Sequence, residues 1–163
     1  MFNNTLKKQL QTQADELSEL RQLRDGLRRE MLMLSIDSTF KITECNENFA
    51  NTLGYSPGQL IGRAMAEIVP QYVSKLLCFH NFRAAVAAGK SVTDDYRYLH
   101  ADGSLVWLHA HWQPISEASG ELSHVTCYAT NITSRVEKVS ENASFIEALL
   151  RSTAVIEFDL SGH

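Results

Sequence analysis

Few side chains in this sequence have the type and spacing for chemistry. His109 and His111 form an HxH pair in LVWLHAHWQPI. Such a pair could hold a metal only with a third ligand, and no His, Cys, Asp or Glu stands at a suitable spacing. Cys45, Cys78 and Cys127 are far apart, form no CxxC pair and are odd in number, which fits reduced thiols rather than a disulfide framework. His80 stands alone in LLCFHNF between Phe79 and Phe82; an isolated His on an apolar helix is most often simply packed or exposed. No glycine loop cradles a phosphate, no Ser-His-Asp or Cys-His order has a supporting context, and Glu44, Glu47 and Glu67 are scattered. The chain is expected not to be an enzyme.

The bulk properties narrow the class. The 163 residues suffice for one domain plus some extra helix. With 44% hydrophobic and 21% charged residues the chain reads as globular. Its net charge of −4 argues against a nucleic-acid partner. Arg21, Arg24, Arg28 and Arg29 are interleaved with Asp15, Glu16, Glu19, Asp25 and Glu30, the pattern of a solvated helix with ion pairs. No apolar run reaches the ~20 residues that span a bilayer, and the first residues lack the apolar core of a secretion signal. A cytoplasmic location without membrane contact is expected.

Periodicity supplies the elements. Residues 1–30 contain one Gly, no Pro and many strong helix formers. A heptad frame places Leu10, Leu17 and Met31 at one core position, with Arg24 as the exception. Leu6, Leu20, Leu27 and Leu34 fill the other, with Gln13 as the exception. Seven of these nine positions are apolar, so a homodimeric coiled coil is expected, the polar breaks helping to fix its register; packing of this helix on its own domain is the alternative.

MLMLSID and FKITEC read as two strands around a turn. Asn46 caps a short helix that buries Phe49 and Leu53 and ends at Gly54. Ser56-Pro57 opens another, closed by Gly62. Residues 70–88 read as one helix with Leu76, Phe79, Phe82 and Val86 on a face. From Ser91 the period becomes two, giving VTDDYRYLH, LVWLHAHWQPI and LSHVTCYATNI, the first two joined by a hairpin at Asp102-Gly103. Residues 135–152 become helical again. The sum is an α+β domain at 31–134, with a five-stranded antiparallel sheet covered by helices on one face, between an N-terminal helix at 1–30 and a linker helix at 135–152. RSTAVIEFD (Arg151–Asp159) repeats REMLMLSID (Arg29–Asp37) one domain length later. Residues 153–163 are therefore expected to be the first strand of a second copy, in a longer parent protein.

KITECNENFANTLGYSPGQLIG, followed by YRYLHADGSLVWLHAHWQPI and HVTCYATNIT, resembles the PAS family over residues 31–134. The pattern comprises an Asn and an aromatic before Gly-Tyr-Ser-Pro-x-x-Leu-Ile-Gly, then an Asp-Gly turn, a Trp strand ending Pro-Ile and a final strand. That strand usually closes on Asp; here it closes on Asn131, which can hydrogen-bond but not pair ionically. With its leading heptad helix, linker helix and second start, the chain looks like the tandem-PAS front of soluble methyl-accepting chemotaxis receptors. Sensor histidine kinases and cyclic-dinucleotide enzymes carry similar arrays.

The resemblance implies a cavity between sheet and helices, lined by Leu108, Ala110 and Trp112 with Tyr98, Cys127 and Ala129, and by Phe49, Leu53 and Phe82 from helices. Trp107, His109 and His111 would face the other side. Family members that hold haem do so through one His from the central helices, which makes His80 the candidate ligand. The aromatic lining would suit a flavin. The light-sensing flavin variant does not match, since Cys78 lacks its Asn-Cys-Arg context and Ala129 replaces its Gln. A small organic ligand and a filled core without cofactor stay open beside these. Asn131, Ile132 and Thr133 would relay a change in the sheet to the linker helix, and so to a downstream PAS and signalling domain.

Overall fold

The computed structural model describes residues 2–153. Helix α1 (Phe2–Glu30) leads into β1 (Leu32–Ile36) and β2 (Ile42–Cys45). Two short helices, α2 (Glu47–Thr52) and α3 (Pro57–Leu60), and two 3-10 turns (Met65–Ile68, Val73–Lys75) precede α4 (Leu77–Ala87). Strands β3 (Val92–Leu99), β4 (Leu105–Ser116) and β5 (Leu122–Asn131) follow, and α5 spans Thr133–Thr153. The strands form one antiparallel sheet in the order β2-β1-β5-β4-β3. This is the α+β arrangement expected from the change of period. The expected strand at 153–163 falls, past Thr153, outside the described residues.

Alternation on β4 decides which face is buried. Leu108, Ala110 and Trp112 are fully buried, whereas His109 and His111 are exposed and Trp107 half-buried. The outward histidines pair across to β3: His109 Nδ1 lies 2.6 Å from Asp95 Oδ1, and His111 Nδ1 lies 2.7 Å from Thr93 Oγ1. Among the described residues no cluster of three metal-ligating side chains forms.

Asn46 does more than cap α2. Its Oδ1 accepts from the Phe49 and Met33 amides, both at 3.0 Å. Its Nδ2 donates to the carbonyls of Arg28 and Met31, both at 2.8 Å. Asn48 Nδ2 donates to Arg29 O at 2.8 Å, and Arg28 pairs with Glu44. The end of α1 is thereby fastened to the domain by side chains that satisfy its terminal carbonyls, which have no partner within the helix.

Two expectations need correction. Met31 and Leu34 do not continue the heptad: α1 stops at Glu30, Asn46 takes the Met31 carbonyl, and Leu34 is 1% exposed inside β1. The frame therefore holds Leu6, Leu10, Leu17 and Leu20, all about half exposed, and the half-buried Leu27. The helix expected over 70–88 is interrupted at Leu76, whose extended backbone (ψ 149°) separates the Val73–Lys75 turn from α4.

One glycine fixes how α2 meets the β3–β4 hairpin. Gly54 has φ +75°, and a Cβ there would stand 2.5 Å from His100 Nε2. The Ala101 amide donates to Leu53 O at 2.8 Å across the same junction. Only a residue without a side chain admits both the left-handed backbone and this approach.

Candidate functional site

A cavity of about 400 Å3 lies between α4, the 3-10 turns and β3. Alternation on β3 puts Val92, Asp94, Tyr96 and Tyr98 on the face toward α4. From the helical side come Met65, Val69, Val73, Leu76, Phe79 and Phe82. Its walls are mostly apolar, and the exposed Leu76, Cys78, Asn81 and Asp94 mark a rim at the surface.

Aromatic rings of the lining pack onto aromatic rings of the core behind it. Phe82 meets Trp112 at 5.2 Å and Tyr96 at 5.6 Å between centroids, both edge-to-face. Tyr98 meets Phe49 edge-to-face at 5.9 Å. Such arrangements set the positive ring edge against the negative face of its neighbour. Three polar atoms of these rings are buried, closed off from the cavity and without a protein partner: the hydroxyls of Tyr96 and Tyr98, and Trp112 Nε1. Burial pushes both phenols above their ordinary range, with the Asp94 charge adding to Tyr96 and the neighbouring Cys127 and Tyr96 to Tyr98. Both tyrosines are thus protonated donors at neutral pH. Burial likewise raises the Cys127 thiol, which leaves it an unreactive core side chain.

Of the nine positions expected around a pocket, Phe82 and Tyr98 line the cavity. Phe49, Leu53, Leu108, Ala110, Trp112, Cys127 and Ala129 belong to the packed core beside it. The cavity is displaced toward the β3 edge because Trp112 and Phe82 fill the space above β4. Tyr96 and Asp94 were missed by sequence reasoning, although they share the period-two face of Tyr98. His80 is exposed on α4 and is not part of the lining, so it does not fit as a haem ligand in this cavity. Arg97, the one cation among the lining residues, has its guanidinium 4.7 Å from the Trp107 ring centroid on the outer face, and Nη1 donates to Tyr72 Oη at 3.3 Å.

Trp107 links this edge to α5. Its carbonyl accepts from the Ile132 amide at 2.9 Å, and its amide donates to Thr133 Oγ1 at 3.0 Å. Asn131 Oδ1 accepts from the Thr133 amide at 2.9 Å, an Asx-type turn that starts the helix. Ile132 and Thr133 therefore join at one point, the backbone of Trp107, on whose ring Arg97 rests, and Asn131 is tied to that point through the Thr133 amide.

Residues 29–134, which form this sheet and the helices over it, match the family model described as PAS domain, and the chain belongs to that family. It is 30% identical over 138 residues to the biofilm dispersion protein BdlA of Pseudomonas aeruginosa, covering 85% of this chain and 33% of that protein. The chain thus spans a third of the length of this relative. Among solved structures, a PAS domain from Colwellia psychrerythraea superposes with TM-score 0.62 at 21% identity, covering 71% of this chain and 98% of that one. An RNA-binding light-oxygen-voltage receptor superposes with TM-score 0.61 at 22% identity, covering 72% and 34%. These two likenesses carry the fold. Among the described residues no helix is long and apolar enough to cross a membrane.

Proposed function

We propose that the chain is the sensory PAS module of a bacterial signal-transduction protein. A small molecule in the β3–α4 cavity changes the position of β3, and Trp107 passes that change to α5. The observation that carries this is the continuity of parts. Tyr96 and Tyr98 line the cavity, Arg97 between them stacks on Trp107, and Trp107 holds the start of α5 through Ile132 and Thr133. A binding and relay role rather than catalysis suits a site with no paired acid and base.

The parent protein is a methyl-accepting chemotaxis receptor in the cytoplasm, with a further PAS domain and a signalling domain after α5. The tandem start, the heptad helix and the likeness to the longer BdlA support this. The exposed Leu6, Leu10, Leu17 and Leu20 of α1 pair with the same residues of a second copy. A second reading, a cofactor-free dimerisation and relay module, is favoured by one observation: seven of the nine expected pocket positions are packed core. A histidine kinase or cyclic-dinucleotide enzyme would use the same module.

Hydrogen exchange on the whole chain tests the relay, with the ketone acetophenone as guest. Slower exchange in β3 and α4 reports occupancy, and a concurrent change over residues 134–150 is expected. Thr133→Val keeps the side-chain shape but removes the acceptor for the Trp107 amide. It should abolish the change at 134–150 while leaving the β3 and α4 protection. Protection of β3 and α4 with no change in wild-type α5 contradicts the relay; no protection anywhere contradicts the sensing role itself.

A further inference from the structure

Strand β3 is the last of the sheet, so one side of its backbone has no neighbouring strand. The cavity reaches that open side: Asp94, Asp95, Tyr96, Arg97 and Tyr98 all line it, although alternation points them to two faces. Arg97 is the side chain that crosses there. It stands opposite Trp107 in the register, with its guanidinium 4.7 Å from the centroid of that ring on the outer face. The same guanidinium lies 5.7 Å from the Tyr72 ring on the helical side, and Nη1 donates to Tyr72 Oη at 3.3 Å. One planar cation thus meets two rings on opposite sides of the strand, a contact that suits the flat guanidinium of Arg and not the compact ammonium of Lys.

Tyr72 directly precedes the Val73–Lys75 turn, and this turn belongs to the helical wall of the cavity through Val73. Its hydrogen bonds are otherwise local. The Val73 amide donates to Pro70 O at 2.8 Å, Ser74 Oγ to Gln71 O at 2.8 Å and the Lys75 amide to Tyr72 O at 3.3 Å. Among the described residues, the bond from Arg97 is the one that joins the turn to β3. Arg97 has no carboxylate partner among them: Asp95, on its own face, is taken by His109 at 2.6 Å, and Asp94 Oδ1 accepts from the Asp95 amide at 2.8 Å. Tyr72 is 48% exposed and does not line the cavity.

We infer that Tyr72 and Arg97 form a strap that couples the helical wall of the cavity to Trp107, so that α5 reads how far the turn stands from β3 and hence the size of the guest. This deepens the relay and rests on it. The Arg97–Tyr72 bond is already long for N–H···O, and about 0.3 Å more breaks it. A guest large enough to push the turn outward by that amount releases Arg97 from Tyr72 and leaves it on Trp107, whose backbone holds Ile132 and Thr133. A smaller guest acts on β3 alone. Tyr72 is thus a positioning residue: it acts on α5 through Arg97 and touches no guest.

Two ketones of one and two rings, acetophenone and benzophenone, test this on the whole chain at saturation, with occupancy followed by methyl resonances of Val73 and Val92. The readout is the change in hydrogen exchange over residues 134–150. In wild type, benzophenone is expected to give a change about threefold larger than acetophenone, the size of one neutral hydrogen bond and one cation–π contact. Tyr72→Leu removes the ring and hydroxyl at a half-exposed site outside the cavity lining, so fold and cavity are retained. In that variant the two ketones should give equal changes, at the wild-type acetophenone level. Tyr72→Phe keeps the ring and should fall between. Arg97→Leu should lose the response to both ketones, and adding Tyr72→Leu to it should change nothing more, because both residues act through one contact. Equal responses to the two ketones in wild type, or discrimination that survives in Tyr72→Leu, would overturn the inference. So would exclusion of benzophenone while acetophenone binds, since the turn then does not yield. If neither bound ketone changes exchange over 134–150 in wild type, the relay itself falls and the strap with it; a response without discrimination overturns the strap alone.

Discussion

Trp112→Ala is expected to destabilise the domain by about 3–5 kcal/mol. Trp112 is 0% exposed and meets Phe82 and Tyr96 edge-to-face, so truncation removes a large buried ring and two aromatic contacts. Each such contact is worth about 0.5–1.5 kcal/mol beyond burial. One effect opposes the loss: Nε1 is buried without a partner, and its removal recovers part of a desolvation cost of about 1–3 kcal/mol. The cavity term outweighs it, because neither the sheet nor α4 can collapse over the space of an indole. Since domains are stable by about 5–15 kcal/mol, the change removes a large fraction of the total. Urea unfolding of Trp112→Ala against wild type measures it, with the slope compared to confirm a two-state change. Trp112→Phe should lose much less, because the ring contacts survive and the orphan nitrogen is gone. A loss below about 1 kcal/mol for alanine would mean that Trp112 is a movable cavity wall rather than core.

Removal of residues 1–24 is expected to convert a dimer into a monomer, halving the particle mass measured by light scattering. The apolar residues at stake, Leu6, Leu10, Leu17 and Leu20, are 48–62% exposed, and they lie ahead of the point where α1 is fastened to the domain. A helix with an apolar seam left in water is marginal by itself; its stability comes from a partner that covers the seam. The cut matters. Arg28 and Arg29 supply carbonyls to Asn46 and Asn48, and Arg28 pairs with Glu44, so a deletion reaching them would damage the domain as well. Stopping before Asp25 keeps those bonds, and thermal unfolding of the truncated chain should show an intact domain. Leu10→Glu with Leu17→Glu puts like charges into the seam and should also give a monomer. An unchanged mass in both would place the self-association elsewhere or exclude it.

The sheet and most helices were legible because one face is buried: β4 reads strictly in–out, and its period of two follows from the pleat. Gly54 likewise announced the end of α2. The cavity was not legible in the same way. Alternation names the face on which Leu108, Ala110 and Trp112 lie, but not where the helices above them leave space. That depends on the extended residue at Leu76, which moves the Val73 turn away from the axis of α4, and on Phe82 reaching over Trp112. Tyr96 and Asp94 could have been added from the same alternation that pointed to Tyr98. The heptad misled at its end, because Met31 and Leu34 fit the spacing while Asn46, far along the chain, decides where the helix stops. His80 matched a family role by its position in sequence, but it lies on the side of α4 that faces water.

The central claim is a guest-accepting cavity at the β3 edge beside a solid core. Xenon binds apolar cavities without regard to hydrogen-bonding chemistry, so it tests the space itself. Methyl spectra of the whole chain should be recorded with and without dissolved xenon. The methyls of Val73, Leu76 and Val92, which line the cavity, are expected to shift, while those of Leu34, Leu53 and Leu108 stay in place. Shifts absent at the first group, or spread equally over both, would contradict it.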